Sequence, residues 1–440
     1  MANQMLNLKE FQQRRQALLA NMDEGIAIIP TAPESIRNRD SHYPYRFDSY
    51  FYYLTGFTEP ESLLVLIAGA KPQSILFCRD KDLEREIWDG FRFGPDIAKK
   101  QFGFDAAYSM HQLDQWMPKL LSNQTKLFYS LGNDVSWDTR VTNWLNQVKD
   151  LARSGVSAPE SILDVRQMVD RQRLIKSPTE QATMRLSGNI AAAAHNRAMR
   201  FVKPHLHEYE VEAEFLHEFY KNGAQAPAYT SIVAGGANAC TLHYNANNHV
   251  LNDGDLLLID AGCELDGYAS DITRTFPING KFTAVQKDLY QLVLSAQLAA
   301  IEAAKPGLNW NAPHEAALDI LVKGFIDFKL CKGSKEEVLE NGSYRQFYMH
   351  RTGHWLGLDV HDAGDYKDKQ GNWSLLETGN VLTVEPGCYV RPADNVPAHF
   401  WNIGIRIEDD VLITATGNEV LTKNAVKSVV DIEELMAGHA

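Results

Sequence analysis

Two aspartates beside a short apolar strand of this 440-residue sequence could together bind a cation. Asp260 follows the run LLLI, and Asp271 lies eleven residues later, beyond a turn predicted at Glu264–Gly267. If all four turn residues form the loop, the two aspartates lie directly opposite each other. If Asp266 and Gly267 alone form it, the aspartates lie diagonally across the hairpin. Both registers place the carboxylates on one face of the hairpin because side chains alternate along a strand. Such a pair is costly unless a cation compensates it, although one aspartate could instead cap a helix or bond a turn.

Three histidines and two glycines occupy the twelve residues from His350 to His361, with His354 between the ends. Neutral imidazole is a common metal ligand and a general acid or base, and glycine permits close approach of the backbone. A lone histidine is more often structural, but packing does not readily explain three in so short a segment. The segment therefore predicts a functional site.

Two glutamates complete the set of candidate ligands. Glu385 follows the apolar run Val381–Val384 and precedes a Pro-Gly pair. Glu408 alternates with isoleucines and shares its strand face with Arg406. A single glutamate on an alternating strand usually marks a solvated face. Glu408 is therefore a candidate ligand only in combination with the other candidates.

Four carboxylates and one imidazole together can hold two divalent ions. The candidate carboxylates are Asp260, Asp271, Glu385 and Glu408, and the imidazole would come from the histidine-rich segment 350–361. Oxygen-rich ligation with one histidine favours Mn²⁺ or a similar first-row ion over a thiolate-type structural zinc site. Two metal ions about 3.5–4 Å apart can hold a bridging hydroxide as nucleophile and polarise a carbonyl. The ligand set therefore predicts a metal-dependent hydrolase, and the sequence has no G-x-S-x-G motif that would indicate a serine nucleophile.

The elements that position these residues lie in the second part of the chain. The sequence SPTE at Ser177–Glu180 forms a capping box that begins a helix ending near Arg200, and a second helix is predicted from about His207 to Asn222. Strands are predicted at Leu256–Gly262, Tyr268–Ile278, Val381–Val390 and Gly404–Thr414, and further helices at Ala284–Lys305 and Ala312–Phe328. Near residue 174 the sequence changes from an α/β pattern to a strongly helical, Ala-rich stretch, which indicates a domain boundary.

The first part of the chain is predicted to be a small α/β domain. Strand-like segments GIAIIP, SLLVLIAG and SILFCRD alternate with helical patterns, and the stretch RSGVSAP at 153–159 indicates a linker. The first 22 residues predict an amphipathic surface helix and lack the apolar core of a signal peptide, so no export is expected. A chain of 440 residues is also too long for one ordinary hydrophobic core, so two domains are expected.

The composition is that of a soluble globular protein, with 45% hydrophobic and 22% charged residues. The net charge of −13 argues against nucleic-acid binding, and bound cations would neutralise part of the acidic excess. No apolar run approaches the roughly 20 residues needed to cross a bilayer, so no membrane contact is expected. Five scattered cysteines without a C-x-x-C pair indicate buried thiols in a reducing compartment, hence the cytoplasm.

In combination, these motifs resemble the aminopeptidase P branch of the creatinase, prolidase and methionine aminopeptidase family, which has the pita-bread fold. The run HRTGHWLGLDVHD at 350–362 is similar to the proline-peptidase signature of that family, and the candidate ligands follow its order of Asp, Asp, His, Glu, Glu. The segments YPYR at 43–46 and YLTGF at 53–57 resemble the N-terminal domain of this branch. The resemblance covers the whole chain. It implies an α/β N-terminal domain over residues 1–173, which restricts substrates and makes oligomer contacts, and an α+β pita-bread catalytic domain over residues 174–440.

The resemblance also implies how the ligands divide between the two ions. Asp260 would bind one ion through both oxygens, and Asp271 and Glu408 would bridge the pair. His354 and Glu385 would complete the other ion. Glu385 would also be the general base for the bridging water.

Five further roles follow from the same resemblance. His243 would assist at the scissile carbonyl or the leaving nitrogen, His361 would contact the substrate carbonyl, and His350 would line the proline subsite. Arg406 would support the site by pairing with carboxylates. Trp88 would reach the substrate site of a neighbouring subunit.

The implied activity is hydrolysis of an N-terminal Xaa-Pro bond, which releases the first residue from peptides with proline second. The bond to the proline nitrogen is a tertiary amide without an N–H, and attack by a metal-bound hydroxide does not depend on that donor. A prolidase, which takes only Xaa-Pro dipeptides, is an alternative that the site motifs scarcely separate, and the N-terminal segments favour the aminopeptidase. A non-catalytic peptide-binding module is disfavoured because all the metal carboxylates are present. The resemblance further implies a homotetramer.

Overall fold

The computed structural model describes residues 8–438, which fall into two compact units, residues 8–173 and residues 174–438. The helix predicted for the first 22 residues is present from Leu8 to Met22, and the first seven residues lie outside the described range. No helix in this range is long and apolar enough to span a membrane. All five cysteines are buried free thiols, as predicted.

The N-terminal unit is an α/β structure built on a six-stranded mixed sheet. Its helices are α1 Leu8–Met22, α2 Ser49–Thr55, α3 Leu83–Asp89, α4 Gly94–Phe102, α5 Leu113–Leu121, α6 Val135–Asp150 and α7 Arg166–Leu174. Its strands are β1 Gly25–Pro30, β2 Ile36–Asn38, β3 Ser41–His42, β4 Leu63–Ala68, β5 Gln73–Cys78, β6 Ala106–Ser109, β7 Lys126–Phe128 and β8 Ser161–Leu163. The sheet order is β6-β5-β4-β1-β7-β8, while β2 and β3 form a separate hairpin. Strands β1 and β4 lie at the centre and are buried on both faces, which is why their sequences are continuous apolar runs.

The C-terminal unit is an α+β structure in which several small antiparallel sheets are covered by helices. Its helices are α8 Pro178–Phe201, α9 Glu208–Lys221, α10 Ala284–Ala303, α11 Ala312–Asp327, α12 Lys335–Asn341 and α13 Val429–Ala437. Its strands are β9 Ala226–Pro227, β10 Ile232–Gly235, β11 Leu256–Asp260, β12 Cys263–Leu265, β13 Tyr268–Ala269, β14 Thr273–Pro277, β15 Val381–Val384, β16 Gly387–Val390, β17 Ile403–Arg406, β18 Asp409–Ile413 and β19 Asn418–Val420. The sheets are β10-β11-β14, β13-β12-β9, β15-β18-β19 and β16-β17.

Helix α8 begins where its capping box predicts. Ser177 Oγ accepts a hydrogen bond from the Glu180 backbone N–H at 3.2 Å, and Glu180 Oε2 accepts from the Ser177 N–H at 2.9 Å. These two bonds satisfy N–H groups that a helix start leaves without partners. The apolar face of the helix then packs into the main core of the unit.

Three strands predicted as continuous are each broken in two, and this part of the sequence prediction is wrong. The breaks fall at Asp271, Glu385 and Glu408, whose backbone N–H groups leave the ladder and bond elsewhere. Asp271 N donates to Asp410 Oδ2, Glu385 N to a carbonyl of the 350–362 segment, and Glu408 N to the Thr273 carbonyl. Each break therefore coincides with a predicted metal ligand.

A buried ion pair ties the segment before α8 to the histidine-rich segment. Lys176 Nζ lies 2.9 Å from Asp362 Oδ2, and both side chains are 1% exposed. We expect Asp362→Ala to lower the free energy of unfolding by about 3–5 kcal/mol, because a buried lysine charge loses its partner. Urea denaturation of purified protein measures the loss. Combining Lys176→Met with Asp362→Leu should recover much of it, since no charge then remains buried, and a double variant as unstable as Asp362→Ala would contradict this reasoning.

Candidate metal centre

A cavity of about 750 Å³ in the C-terminal unit is lined by nine of the ten site residues predicted from the sequence. They are His243, Asp260, Asp271, His350, His354, His361, Glu385, Arg406 and Glu408. The tenth, Trp88, lies on α3 of the N-terminal unit, is 83% exposed and does not line this cavity. The structure therefore brings together all the predicted residues of the catalytic domain.

Asp260 and Asp271 come from one interrupted hairpin. Asp260, the last residue of β11, faces Thr273 of β14. The hairpin turns at Asp266 and Gly267 alone, and both have positive φ, 49° and 83°, as a type I′ turn requires. Of the two registers left open by the sequence, the structure therefore has the diagonal one, with both carboxylates on the same face.

Glu385 and Glu408 come from a second interrupted ribbon. Strands β15 and β18 pair as far as Val384 and Asp409, and β16 and β17 resume the pairing on the other side of the break. Between the two ladders Glu385 and Glu408 face each other. Pro386 helps to keep the break open because it has no N–H to donate to a ladder.

His354 presents one ring nitrogen to these carboxylates. Its Nδ1 lies 2.9 Å from the Trp355 carbonyl oxygen, which places the N–H there and leaves a lone pair on Nε2. Nε2 lies 3.5 Å from Asp271 Oδ2 and 3.8 Å from Glu385 Oε1. The preceding Gly353 permits this approach, because a Cβ there would lie 2.0 Å from a carbonyl oxygen of β15.

The geometry of this cluster fits a divalent cation. Ligand atoms of Asp271, His354 and Glu408 all lie within 4.8 Å of one another. Glu408 Oε2 accepts from the Thr273 hydroxyl at 2.6 Å, while Oε1 is buried and has no hydrogen-bond partner among the described residues. A buried carboxylate oxygen without a donor is costly, and a cation would satisfy it. Oxygen ligands with one imidazole nitrogen suit first-row divalent ions.

The same crowding shifts the proton affinities of the carboxylates. Burial, followed by the charge of Asp260, raises the pKa of Asp271 well above its ordinary range. Burial and the charge of Asp271 do the same to the pKa of Glu408. For Glu385, burial and the neighbouring Glu408 raise the pKa to about 8. A bound cation would reverse this cost, because the ionised forms would then be the stabilised ones.

These shifts predict that chelated protein loses stability as the pH rises. Folded protein without metal would hold protons on Glu385 that unfolded protein releases near the ordinary value of 4.5, so stability falls with pH until the folded pKa of about 8. We expect the melting temperature in EDTA to drop by several degrees between pH 5.5 and 8, and the increase produced by Mn²⁺ to widen over the same interval. Differential scanning fluorimetry measures both. A melting temperature in EDTA that rises over this interval would contradict the assignment.

Two tyrosines that sequence reasoning missed hold the carboxylates and Arg406 in place. The Tyr229 hydroxyl lies 2.6 Å from Asp260 Oδ1 and also contacts Asp271 Oδ1. Arg406 donates from Nη2 to Asp260 Oδ2 at 2.5 Å and from Nη1 to the Tyr389 hydroxyl at 3.0 Å. Tyr389 lies four residues after Glu385, a proximity that could have drawn attention to it. Tyr229 lies in a connecting segment and carries no sequence signal.

Three further histidines line the cavity around the carboxylates. His350 accepts from the Tyr389 hydroxyl at Nε2 and donates from Nδ1 to the carbonyl of the next residue. Burial, reinforced by the charge of Arg406, lowers the pKa of His350 to about 4, so its imidazole is neutral. The ring of His361 stands edge-on to that of His354 at 4.3 Å, and burial lowers its pKa as well. His243 reaches the cavity from an exposed position.

Comparison with known proteins assigns both units to one family. The model of metallopeptidase family M24 matches residues 182–415, and that of the aminopeptidase P N-terminal domain matches residues 11–129. The chain is 44% identical over 434 residues to the Xaa-Pro aminopeptidase of Escherichia coli K12, with 98% of each chain covered. It is 45% identical over 431 residues to the Xaa-Pro aminopeptidase of Haemophilus influenzae, with 97% of each covered.

Solved structures agree over the whole length. Aminopeptidase PepP of Pseudomonas aeruginosa superposes with a TM-score of 0.97 at 47% identity, with 99% of each chain covered. Zinc-substituted E. coli aminopeptidase P in complex with product superposes with a TM-score of 0.96 at 44% identity over 99% of each chain. The family and the fold class predicted from the sequence are confirmed. This chain belongs to metallopeptidase family M24 as a hydrolase of the aminopeptidase P branch, with an α/β aminopeptidase P N-terminal domain and an α+β pita-bread catalytic domain.

Proposed function

We propose that this metallopeptidase removes the first residue from peptides whose second residue is proline. The observation that carries the proposal is the convergence of four carboxylates and Nε2 of His354 in a cavity that three more histidines line. Relatives that match the chain over nearly its full length are Xaa-Pro aminopeptidases, which supports this choice of substrate.

The five predicted ligands would hold two divalent ions, which we propose to be Mn²⁺. They are Asp260, Asp271, His354, Glu385 and Glu408. When bound, such a pair of ions would supply a hydroxide nucleophile, which we propose to be shared between them, and would polarise the scissile carbonyl. The choice of Mn²⁺ rests on the excess of carboxylate oxygen over nitrogen in the set.

Glu385 is the proposed general base. Its Oε1 lies 3.8 Å from His354 Nε2, and its Oε2 lies 3.8 Å from His350 Nδ1, so the carboxylate stands between these two imidazoles. Its side chain is 18% exposed, which leaves it accessible from the cavity. A carboxylate in this place can take a proton from the attacking water and pass it towards the leaving nitrogen.

The three cavity histidines are the proposed contacts to the substrate. The proline nitrogen has no N–H, so the enzyme must recognise the bond through its carbonyl and the proline ring. His361, whose ring lies beside that of His354, would donate to that carbonyl, and the aromatic surface of His350 would suit the apolar ring of proline. His243 would assist at the carbonyl or the leaving nitrogen. Arg406, bonded to Asp260, would hold that carboxylate in position.

We also propose a cytoplasmic homotetramer in which Trp88 reaches the site of a neighbouring subunit and the N-terminal domain restricts substrate entry. Trp88 is 83% exposed, and Leu83, Ile87 and Phe91 beside it are 60% or more exposed. An apolar cluster of this kind is typical of an interface. Light scattering after size exclusion should give the mass of four chains, and a monomer at micromolar concentration would refute the assembly.

Assays on a tripeptide and a dipeptide test the function directly. After chelation and addition of Mn²⁺, the enzyme should release alanine from Ala-Pro-Ala and hydrolyse Ala-Pro far more slowly. Activity on the dipeptide alone would identify a prolidase instead. Protein that neither binds divalent metal nor cleaves either peptide would favour the peptide-binding module.

A further inference from the structure

A fully buried carboxylate that the proposed chemistry does not use lies behind the loop that carries His243. Glu208 is the first residue of α9, and none of its surface is exposed. Among the described residues its one ion-pair contact is with His249 Nδ1 at 3.9 Å, and the side chain of His249 is 64% exposed. An ionised group taken out of water in this way is costly unless hydrogen bonds replace its hydration.

Four donors from one loop supply those bonds. Glu208 Oε1 accepts from the Gly235 backbone N–H at 2.8 Å and from Asn238 Nδ2 at 3.0 Å. Oε2 accepts from the Tyr244 hydroxyl at 2.7 Å and from the His249 backbone N–H at 3.0 Å. The four donors are spread from one end of segment 235–249 to the other. Hydrogen bonds to a single carboxylate thus hold together residues from both ends and the middle of the loop.

His243 lies in the middle of this loop and depends on it for its position. Its imidazole makes no hydrogen bond to another residue of the described chain, yet it lines the cavity together with Leu242 and Asn245. The next residue, Tyr244, turns the other way into a small apolar cluster and delivers its hydroxyl to Glu208. The backbone of the loop, and not a contact of the ring itself, therefore sets where His243 stands.

We propose that Glu208 is a positioning residue for His243. Its carboxylate fixes the 235–249 loop so that the imidazole faces the scissile bond, and it touches neither the substrate nor the metal ligands. The inference rests on the proposed function, in which His243 acts on the substrate.

Glu208→Gln is the variant that tests this role. Glutamine keeps the shape of the side chain, but whichever way its amide turns, the NH₂ group meets a backbone N–H that also donates, from Gly235 or from His249. The matched control is Glu180→Gln. Glu180 is also a buried carboxylate at a helix start and accepts from a tyrosine hydroxyl, that of Tyr268 at 2.6 Å, and its partners Tyr268 and Ser177 both lie outside segment 235–249.

A double-mutant cycle separates positioning from general destabilisation. With Ala-Pro-Ala and saturating Mn²⁺, His243→Ala should lower kcat/KM by about 10²-fold or more and Glu208→Gln by about tenfold or more. The double variant should be no worse than His243→Ala within about twofold, because Glu208 acts through His243. Glu180→Gln should leave kcat/KM near wild type in both backgrounds. Losses that multiply in the double variant, or a Glu208→Gln enzyme with wild-type kcat/KM, would overturn the proposal.

Hydrogen exchange gives a reading that does not depend on activity. Amides of residues 236–250 should exchange much faster in Glu208→Gln than in wild type, while Glu180→Gln leaves them unchanged. Unchanged exchange in Glu208→Gln would overturn the structural half of the proposal. If this exchange rises while His243→Ala retains full activity, the loop is held as described, and the role assigned to His243 in the proposed function is what fails.

Discussion

Glu408→Gln is expected to lower kcat/KM for Ala-Pro-Ala by at least about 10³-fold at saturating Mn²⁺, because the proposed pair of ions, which would lower the pKa of bound water, would lose a shared ligand. Glu408 is 1% exposed, and its Oε1 has no hydrogen-bond partner in the described chain, so this oxygen is available to bind a cation. Glutamine preserves the shape of the side chain and the bond from Thr273. A lower kcat/KM would therefore result from the lost negative charge of Glu408 and not from a gap in the packing.

The control for this variant is Glu419→Gln in the neighbouring strand β19. Glu419 pairs with Arg185 at 2.7 Å, and its side chain is one-third exposed, at 33%. An exposed pair of this kind contributes little to stability, and the residue does not line the cavity, so activity should stay near wild type. Equal activity in Glu408→Gln and Glu419→Gln would remove Glu408 from the site.

Glu385→Gln is expected to lower kcat by about 10²–10⁴-fold while changing KM little, since a general base acts on the chemical step. The amide oxygen can still contact a cation, so the variant should keep most of its metal when Mn²⁺ is saturating. The expected result is thus an enzyme that is loaded but slow, unlike Glu408→Gln.

Two further measurements check the role of Glu385. Stopped-flow and steady-state kinetics on Ala-Pro-Ala give kcat and KM, and metal analysis of the same sample gives its Mn²⁺ content. Glu385→Asp should recover part of the lost rate because it restores the carboxylate at a greater distance. A Glu385→Gln enzyme within tenfold of the wild-type kcat would show that the proton passes through another group.

The candidate carboxylates could be read from residue type and strand alternation, whereas the choice of His354 among the histidines came from the family resemblance. Asp260 and Asp271 share a face in either hairpin register, so the uncertainty about the turn did not affect the prediction that they meet. Glu408 and Arg406 were predicted on one face because they alternate with Ile405 and Ile407, and both line the cavity. These inferences are local and depend only on the two-residue period of a strand.

The breaks in the strands could not be predicted in this way. Glu385 and Glu408 stand at interruptions because their N–H groups bond to residues far away in sequence, such as Thr273 for Glu408. A continuous apolar run looks the same whether it forms one strand or two. The interruption appears only when the second ribbon and the hairpin pack together.

The supporting residues were missed for the same physical reason. Tyr229 meets Asp260 and Asp271 across gaps of 31 and 42 residues, and Glu208 meets donors as far away as His249, across 41 residues. Tyr229 lies in a connecting segment with no periodic signal, and Glu208 stands in the first turn of a predicted helix, where an acidic residue is common. Their partners are set by tertiary packing, which a single sequence does not display.

We propose that side chains from separate segments enclose a pair of divalent ions. Isothermal titration of chelated protein with Mn²⁺, carried out alongside the Asp271→Asn variant, tests this proposal. We predict two Mn²⁺ per chain for the wild type, with peptidase activity returning as they bind, and no more than one for the variant. Wild-type protein that takes up no Mn²⁺, or a variant that binds as much as the wild type, would contradict the account.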